Sequence, residues 1–144
     1  MTHEDKGKFF TKHPKGTKID DDLKKEVLEQ VKNNSITCKK AEEIAEELGF
    51  TLQETGTAID ILNIKITKCQ LGLFGYGESQ KIVQPAKEIP PDLKEDISSS
   101  LEDEKLSCAS AWEIANKFNI SRMKVAAACE ALEIKIKPCQ LGAF

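Results

Sequence analysis

The sequence contains no stretch of about 18–20 consecutive apolar residues, the length a membrane span needs, so no crossing of a bilayer is expected. The start, Met1-Thr2-His3-Glu4-Asp5-Lys6, has no apolar segment behind it, and no secretory leader is expected. Without export, the five cysteines are expected as reduced thiols in a cytoplasm. Histidine is scarce: His3 and His13 are the only two, both near the start. No glycine-rich phosphate loop occurs, and Gly75-Tyr76-Gly77 is too short to be one. No two cysteines have C-x-x-C spacing, so nothing local organises a metal. A cysteine nucleophile would lack a positioned base. These absences speak against an enzyme, and no cofactor or metal is expected. Charge of one sign is lacking too. The 144 residues hold 21 Lys and Arg against 24 Asp and Glu, a net charge of −3. That balance argues against a protein that coats nucleic acid without regard to sequence.

What the sequence does hold is a repeat. Ile64–Phe74 reads IKITKCQLGLF, and Ile134–Phe144 reads IKIKPCQLGAF. At an offset of 70 the match runs without a gap back to Asp22-Leu23-Lys24 and Asp92-Leu93-Lys94, with 18 identities over 53 positions. Average composition would give about three by chance. The expected organisation is a mobile N-terminal arm over 1–21, a first unit over 22–74, a Pro- and Gly-bearing linker over 75–91 and a second unit over 92–144.

Within each unit the apolar spacing predicts three helices. Leu23, Val27 and Val31, matched by Leu93, Ile97 and Leu101, recur at helical intervals. Asp20–Asp22 can cap the first helix, and Pro90-Pro91 suits the start of its counterpart. Ser35-Ile36-Thr37 and Lys105-Leu106-Ser107 read as short extended pieces ending in a capping hydroxyl. The second helix has the apolar face Cys38, Ala41, Ile44, Ala45 and Leu48, repeated as Cys108, Ala111, Ile114, Ala115 and Phe118. It should stop at Gly49 or Asn119, residues that tolerate the left-handed conformation. Thr51 and Ser121 then cap a third helix, and Thr51-Leu52-Gln53-Glu54 fits the capping box. Ile-Lys-Ile alternates as a strand, and Cys-Gln-Leu-Gly suggests a bend.

Helix, tight turn, apolar turn residue and helix resemble the helix-turn-helix motif. AEEIAEELGFTLQETGTAIDIL and WEIANKFNISRMKVAAACEAL carry the likeness, with Ala45 and Ala115 four residues before the turn residue. The flanking strands extend the resemblance toward a winged-helix domain. The fold expected is therefore mainly α with short β-strands, in two tandem three-helix, winged-helix-like units. The second unit, read to Phe144, has little chain for a two-stranded wing, so a short wing, or a last strand that pairs elsewhere, is expected.

The resemblance implies that the third helix enters the major groove of duplex DNA by its N-terminal half. Its outward positions would be Thr51, Leu52, Gln53, Gly56, Thr57 and Asp60 in the first copy. In the second they would be Ser121, Arg122, Met123, Ala126, Ala127 and Glu130, with Lys124 alongside. The DNA contacts implied are Thr51, Gln53, Thr57, Ser121, Arg122 and Lys124: Gln53 toward adenine, Arg122 toward guanine, and Thr51, Ser121 and Lys124 toward phosphates. Against this, each unit holds seven basic and nine acidic residues, without the basic footprint such a module usually has. The five lysines of the arm could follow a phosphate backbone or simply face solvent.

Two further sets stand out. Cys38 and Cys69 match Cys108 and Cys139, and four thiols could meet in a zinc site or redox bridge, or be buried core; Cys129 replaces Ile59. Cys69, Leu71, Phe74, Cys139, Leu141 and Phe144, in the IKIxxCQLGxF segments, are interface or redox candidates. They either cover the units' own core or pair the chain with a copy of itself or another protein. The acidic pairs Glu42-Glu43 and Glu46-Glu47 read as the wet side of the second helix. Two main functions follow: a DNA-binding regulator, or a protein-interaction module on the same scaffold that pairs through its CQLG segments. A thiol-based sensor is a third.

Overall fold

The structure is a computed structural model that describes residues 13, 17–77 and 80–144. It is mainly helical with short strands, as the repeat predicts. The chain divides into two compact units: the described residues through Cys69 together with Gln140–Ala143, and Gln70–Cys139 together with Phe144.

In the first unit the elements run α1 (Asp21–Gln30), β1 (Ser35–Thr37), α2 (Cys38–Leu48), α3 (Leu52–Ile61) and β2 (Lys65–Thr67). Asp20 caps α1, its Oδ1 accepting from the amides of Asp22 and Leu23 at 2.9 and 3.2 Å. Helix α1 thus begins inside the span assigned to the arm. Thr37 caps α2 and Thr51 caps α3. The Thr51 hydroxyl accepts from Glu54 N–H, and the Glu54 carboxylate accepts from Thr51 N–H, both at 3.0 Å. Helix α2 stops at Gly49, whose φ of 77° places it in the left-handed region. Leu23, Val27, Ala41, Ile44, Ala45, Ala58 and Ile59 form the core.

The second unit repeats the plan as α4 (Pro91–Ser99), β3 (Lys105–Leu106), α5 (Cys108–Phe118), α6 (Arg122–Ala131) and β4 (Lys135–Ile136). Pro91 opens α4, so it belongs to that helix and not to the linker. Ser107 and Ser121 cap α5 and α6, and Asn119, at φ 54°, ends α5. Leu93, Ile97, Leu106, Ala111, Ile114, Val125 and Ala128 fill this core.

The strands settle the question of the wing. In each unit the strand after the third helix pairs with the strand before the second, and the pairing is parallel: Ile36 opposite Ile66, Leu106 opposite Ile136. Parallel neighbours require a crossover, which the second and third helices supply. Among the described residues each sheet has two strands, and none forms a hairpin wing. No helix among them is long and apolar enough to cross a membrane.

Candidate functional site

The outward faces of the third helices, α3 and α6, are where the helix-turn-helix resemblance puts function. Thr51 and Gln53 are exposed and Thr57 is half-buried, its hydroxyl donating to Gln53 O at 3.0 Å. Gln53 and Thr57 border a cleft with Lys18, Ile19, Phe50 and Glu54.

Gly56 and Asp60 are a different matter, because both are buried and neither faces outward. A Cβ added to Gly56 would overlap the carbonyl oxygen of Leu141 and stand 2.6 Å from its carbonyl carbon. The backbone of the CQLG segment thus lies directly on α3, and Leu141 is buried. Glycine in a helix interior costs about 1 kcal/mol relative to alanine. At this position it permits a backbone-to-backbone approach that no side chain would allow. Asp60, 3% exposed, receives His13, whose Nε2 lies 2.8 Å from Asp60 Oδ2. His13 is therefore held by α3, contrary to the expectation of a mobile arm; the arm's Lys6, Lys8, Lys12 and Lys15 and His3 lie outside the described residues.

On α6 only Ser121 and Lys124 of the predicted contacts remain exposed. The Arg122 guanidinium lies 3.6 Å from the centroid of the Trp112 ring, and its Nη1 donates to Gln70 Oε1 at 2.8 Å. Arg122 thus holds the CQLG segment of the first copy instead of reaching outward. The Met123 Cε would stand 3.2 Å from a Cβ on Gly72, as close as Val83. Gly72 also has a φ of 74°, so its lack of a side chain serves both the bend and the fit. Ala126 is buried outright. Ala86 N–H donates to Ala127 O at 2.9 Å, and Lys81 Nζ sits 2.6 Å from Glu130 Oε1. Lys81 and Ala86, expected in a linker, therefore contact α6, and the amides of Ile82 and Val83 between them donate to Gly72 O. Sequence reasoning placed Arg122, Met123, Ala126, Ala127 and Glu130 outward, but Gln70, Gly72, Lys81, Ala86 or the core occupies each of them. Periodicity identifies the non-core side of a helix, but not whether a distant segment covers it.

Sequence reasoning also missed Glu42, which is 7% exposed and not on a wet face. One signal was available. Three positions around the CQLG contacts change class together between copies: Glu42 becomes Trp112, Leu52 becomes Arg122 and Gly56 becomes Ala126. The aromatic ring and the cation stack on each other in the second copy. Trp112 Nε1 has no hydrogen-bond partner among the described residues, so packing and the Arg122 stack hold the ring.

The five cysteines form no disulfide. Cys38, Cys69, Cys108 and Cys129 are buried and Cys139 is half-buried. Within the second copy Cys108 N–H donates to Pro138 O at 3.1 Å, beside Cys139. Among the described residues no three His, Cys, Asp or Glu side chains form a metal-binding group. Phe74 and Phe144 meet edge to face, with centroids 5.6 Å apart, in the second unit.

Burial, and secondarily the neighbouring Glu130 carboxylate, push the Cys129 thiol up to about 12. The folded state therefore keeps this proton where the unfolded chain has released it. Cys129 contributes stability that is whole below its ordinary value of 9.0 and lost as pH rises toward 12, at about 1.4 kcal/mol per pH unit. Urea midpoints measured from pH 8 to 10.5 should fall more steeply for the wild type than for Cys129→Ala. Parallel falls would contradict this.

Compared with family models, curated proteins and solved structures, the chain matches none.

Proposed function

We propose that this chain is a protein-interaction module: a duplicated three-helix scaffold, resembling the helix-turn-helix motif, whose third helices seat extended peptide segments instead of reading DNA. The observation that carries this reading is the occupation of α6. Arg122 bonds Gln70, Gly72 abuts Met123, and Ala86 bonds Ala127. A helix whose outer residues are held in this way cannot place them on base edges without first shedding Gln70, Gly72 and Ala86. The seat on α3, where Gly56 admits the backbone of Leu141, supports the same reading. So does the charge of each copy, seven basic residues against nine acidic ones.

The test is binding to mixed-sequence duplex DNA, followed by anisotropy at low salt, where electrostatic attraction is strongest. Non-specific DNA binders reach dissociation constants of about 10⁻⁴–10⁻⁶ M even at physiological salt. The interaction reading predicts no salt-dependent binding in that range. The second reading, contact with nucleic acid by the first turns of the third helices, rests on the exposure of Thr51, Gln53, Ser121 and Lys124. It predicts a salt-dependent signal that weakens in Lys124→Ala.

A further inference from the structure

We propose that the seat on α3 also accepts Gln140–Ala143 from a second copy of this chain, so that two chains pair by reciprocal exchange of that segment. The inference rests on the interaction reading above and names its partner. Three features of the seat select the occupant. Gly56 removes the Cβ that would overlap the Leu141 carbonyl, so a main chain, not a side chain, must lie there. The Leu141 side chain is buried, so the occupant brings an apolar residue at this point. Gly142 follows at φ 81°, so the occupant must turn by a left-handed residue immediately afterwards. A Gln-Leu-Gly sequence meets these demands.

The chain holds two such sequences, Gln70–Gly72 and Gln140–Gly142. The matching position on α6 is Ala126, where a methyl group occupies the space left open at Gly56. There Arg122 grips Gln70 by its side chain, whereas the matching residue on α3 is Leu52, which has no donor to offer. The two seats therefore differ, and the one on α3 is fitted to the close approach of Gln140–Ala143. A copy of that segment from another molecule makes the same contacts. Exchange of an identical element needs no new complementarity, and two seats filled reciprocally form a closed, isologous pair. Gln140–Ala143 moves together with the flanking Cys139 and Phe144, which belong to the second unit and are joined by the bond from Cys139 N–H to Phe144 O at 2.9 Å. The attached segment competes at an effective concentration of about 1 mM, so pairing grows as the chain concentration approaches that level.

The experiment mixes two differently labelled full-length chains at about 10 μM and about 1 mM and reads mixed pairs by energy transfer and sedimentation. The expected result is mixed pairs at the higher concentration, reduced at least about tenfold in Gly56→Ala and unchanged in Lys124→Ala, outside the seat. Leu141→Asp, which leaves α3 untouched, should reduce them equally, so that misfolding of one variant does not decide the outcome. Competition by a synthetic peptide of residues 134–144 should suppress them as well. A single monomeric species at both concentrations, or pairs that survive both Gly56→Ala and Leu141→Asp, would overturn the exchange. Either result leaves the interaction reading standing, since that reading is tested separately, by salt-dependent binding to duplex DNA and by whether the third helices are covered within one chain.

Discussion

Replacing Gly56 by alanine should destabilise the protein by about 1–3 kcal/mol, the usual cost of forcing extra atoms into a packed contact. Local propensity alone predicts the opposite sign, since Gly→Ala in a helix interior ordinarily gains about 1 kcal/mol. The reversal arises because an added Cβ would overlap the Leu141 carbonyl and stand 2.8 Å from its Cα. One of the two must move, and backbone does not yield as the end of a flexible side chain does. The expected consequence is that Gln140–Ala143 leaves α3 and Leu141 becomes exposed. Urea denaturation gives the sign, and the rate of proteolysis within 139–144 reports the release. A variant more stable than the wild type, with this segment still protected, would refute the close approach. Ala126→Gly, the reverse change at the matching position of α6, should lower stability by about 1 kcal/mol through propensity alone.

Arg122→Ala distinguishes a structural clamp from a DNA contact. A surface arginine awaiting a phosphate or a guanine is replaced at a cost within about 0.5 kcal/mol. Here the guanidinium stacks on Trp112 at 3.6 Å and donates to Gln70 Oε1 at 2.8 Å. A partly desolvated cation–π contact is worth up to about 2 kcal/mol, and a hydrogen bond from a charged donor about 1.5–3 kcal/mol. The two share one side chain and do not add independently, so the expected loss is about 2–3 kcal/mol. Trp112 is the only tryptophan, so its fluorescence reports this environment alone. Its emission should shift in Arg122→Ala and, to a smaller degree, in Gln70→Ala. An unchanged spectrum with unchanged stability would return Arg122 to the list of free surface cations.

These two residues also mark where the sequence can be read and where it cannot. Helices and their ends depend on neighbours within a few positions. The Thr51–Glu54 capping box, the turns at Gly49 and Asn119 and the proline that opens α4 were accordingly legible. The short strands were legible as alternation, but their parallel pairing was not, because it joins residues 30 apart through two helices. Gly56 was placed on the open side of α3 because Leu141, its partner, stands 85 positions later, and nothing local announces the meeting. Asp60 was misplaced for the same reason: His13 covers it from 47 residues away. Arg122 has the chemistry of a guanine reader, and its residue type alone cannot distinguish that role from a stack on Trp112. The paired replacement of Glu42 and Leu52 by Trp112 and Arg122 carried that information. It became readable once the two copies were compared position by position and the ring was found beneath the guanidinium.

The most direct test of the account is a nuclear Overhauser spectrum of the full chain in solution. It should contain cross-peaks from the Gly56 α-protons to Leu141 and from the Gly72 α-protons to the Met123 methyl group, because both pairs are in contact when the third helices are covered. Absence of both, with Leu141 and Gly72 giving the narrow lines of a mobile chain, would mean that the helix faces are open and would contradict the interaction reading.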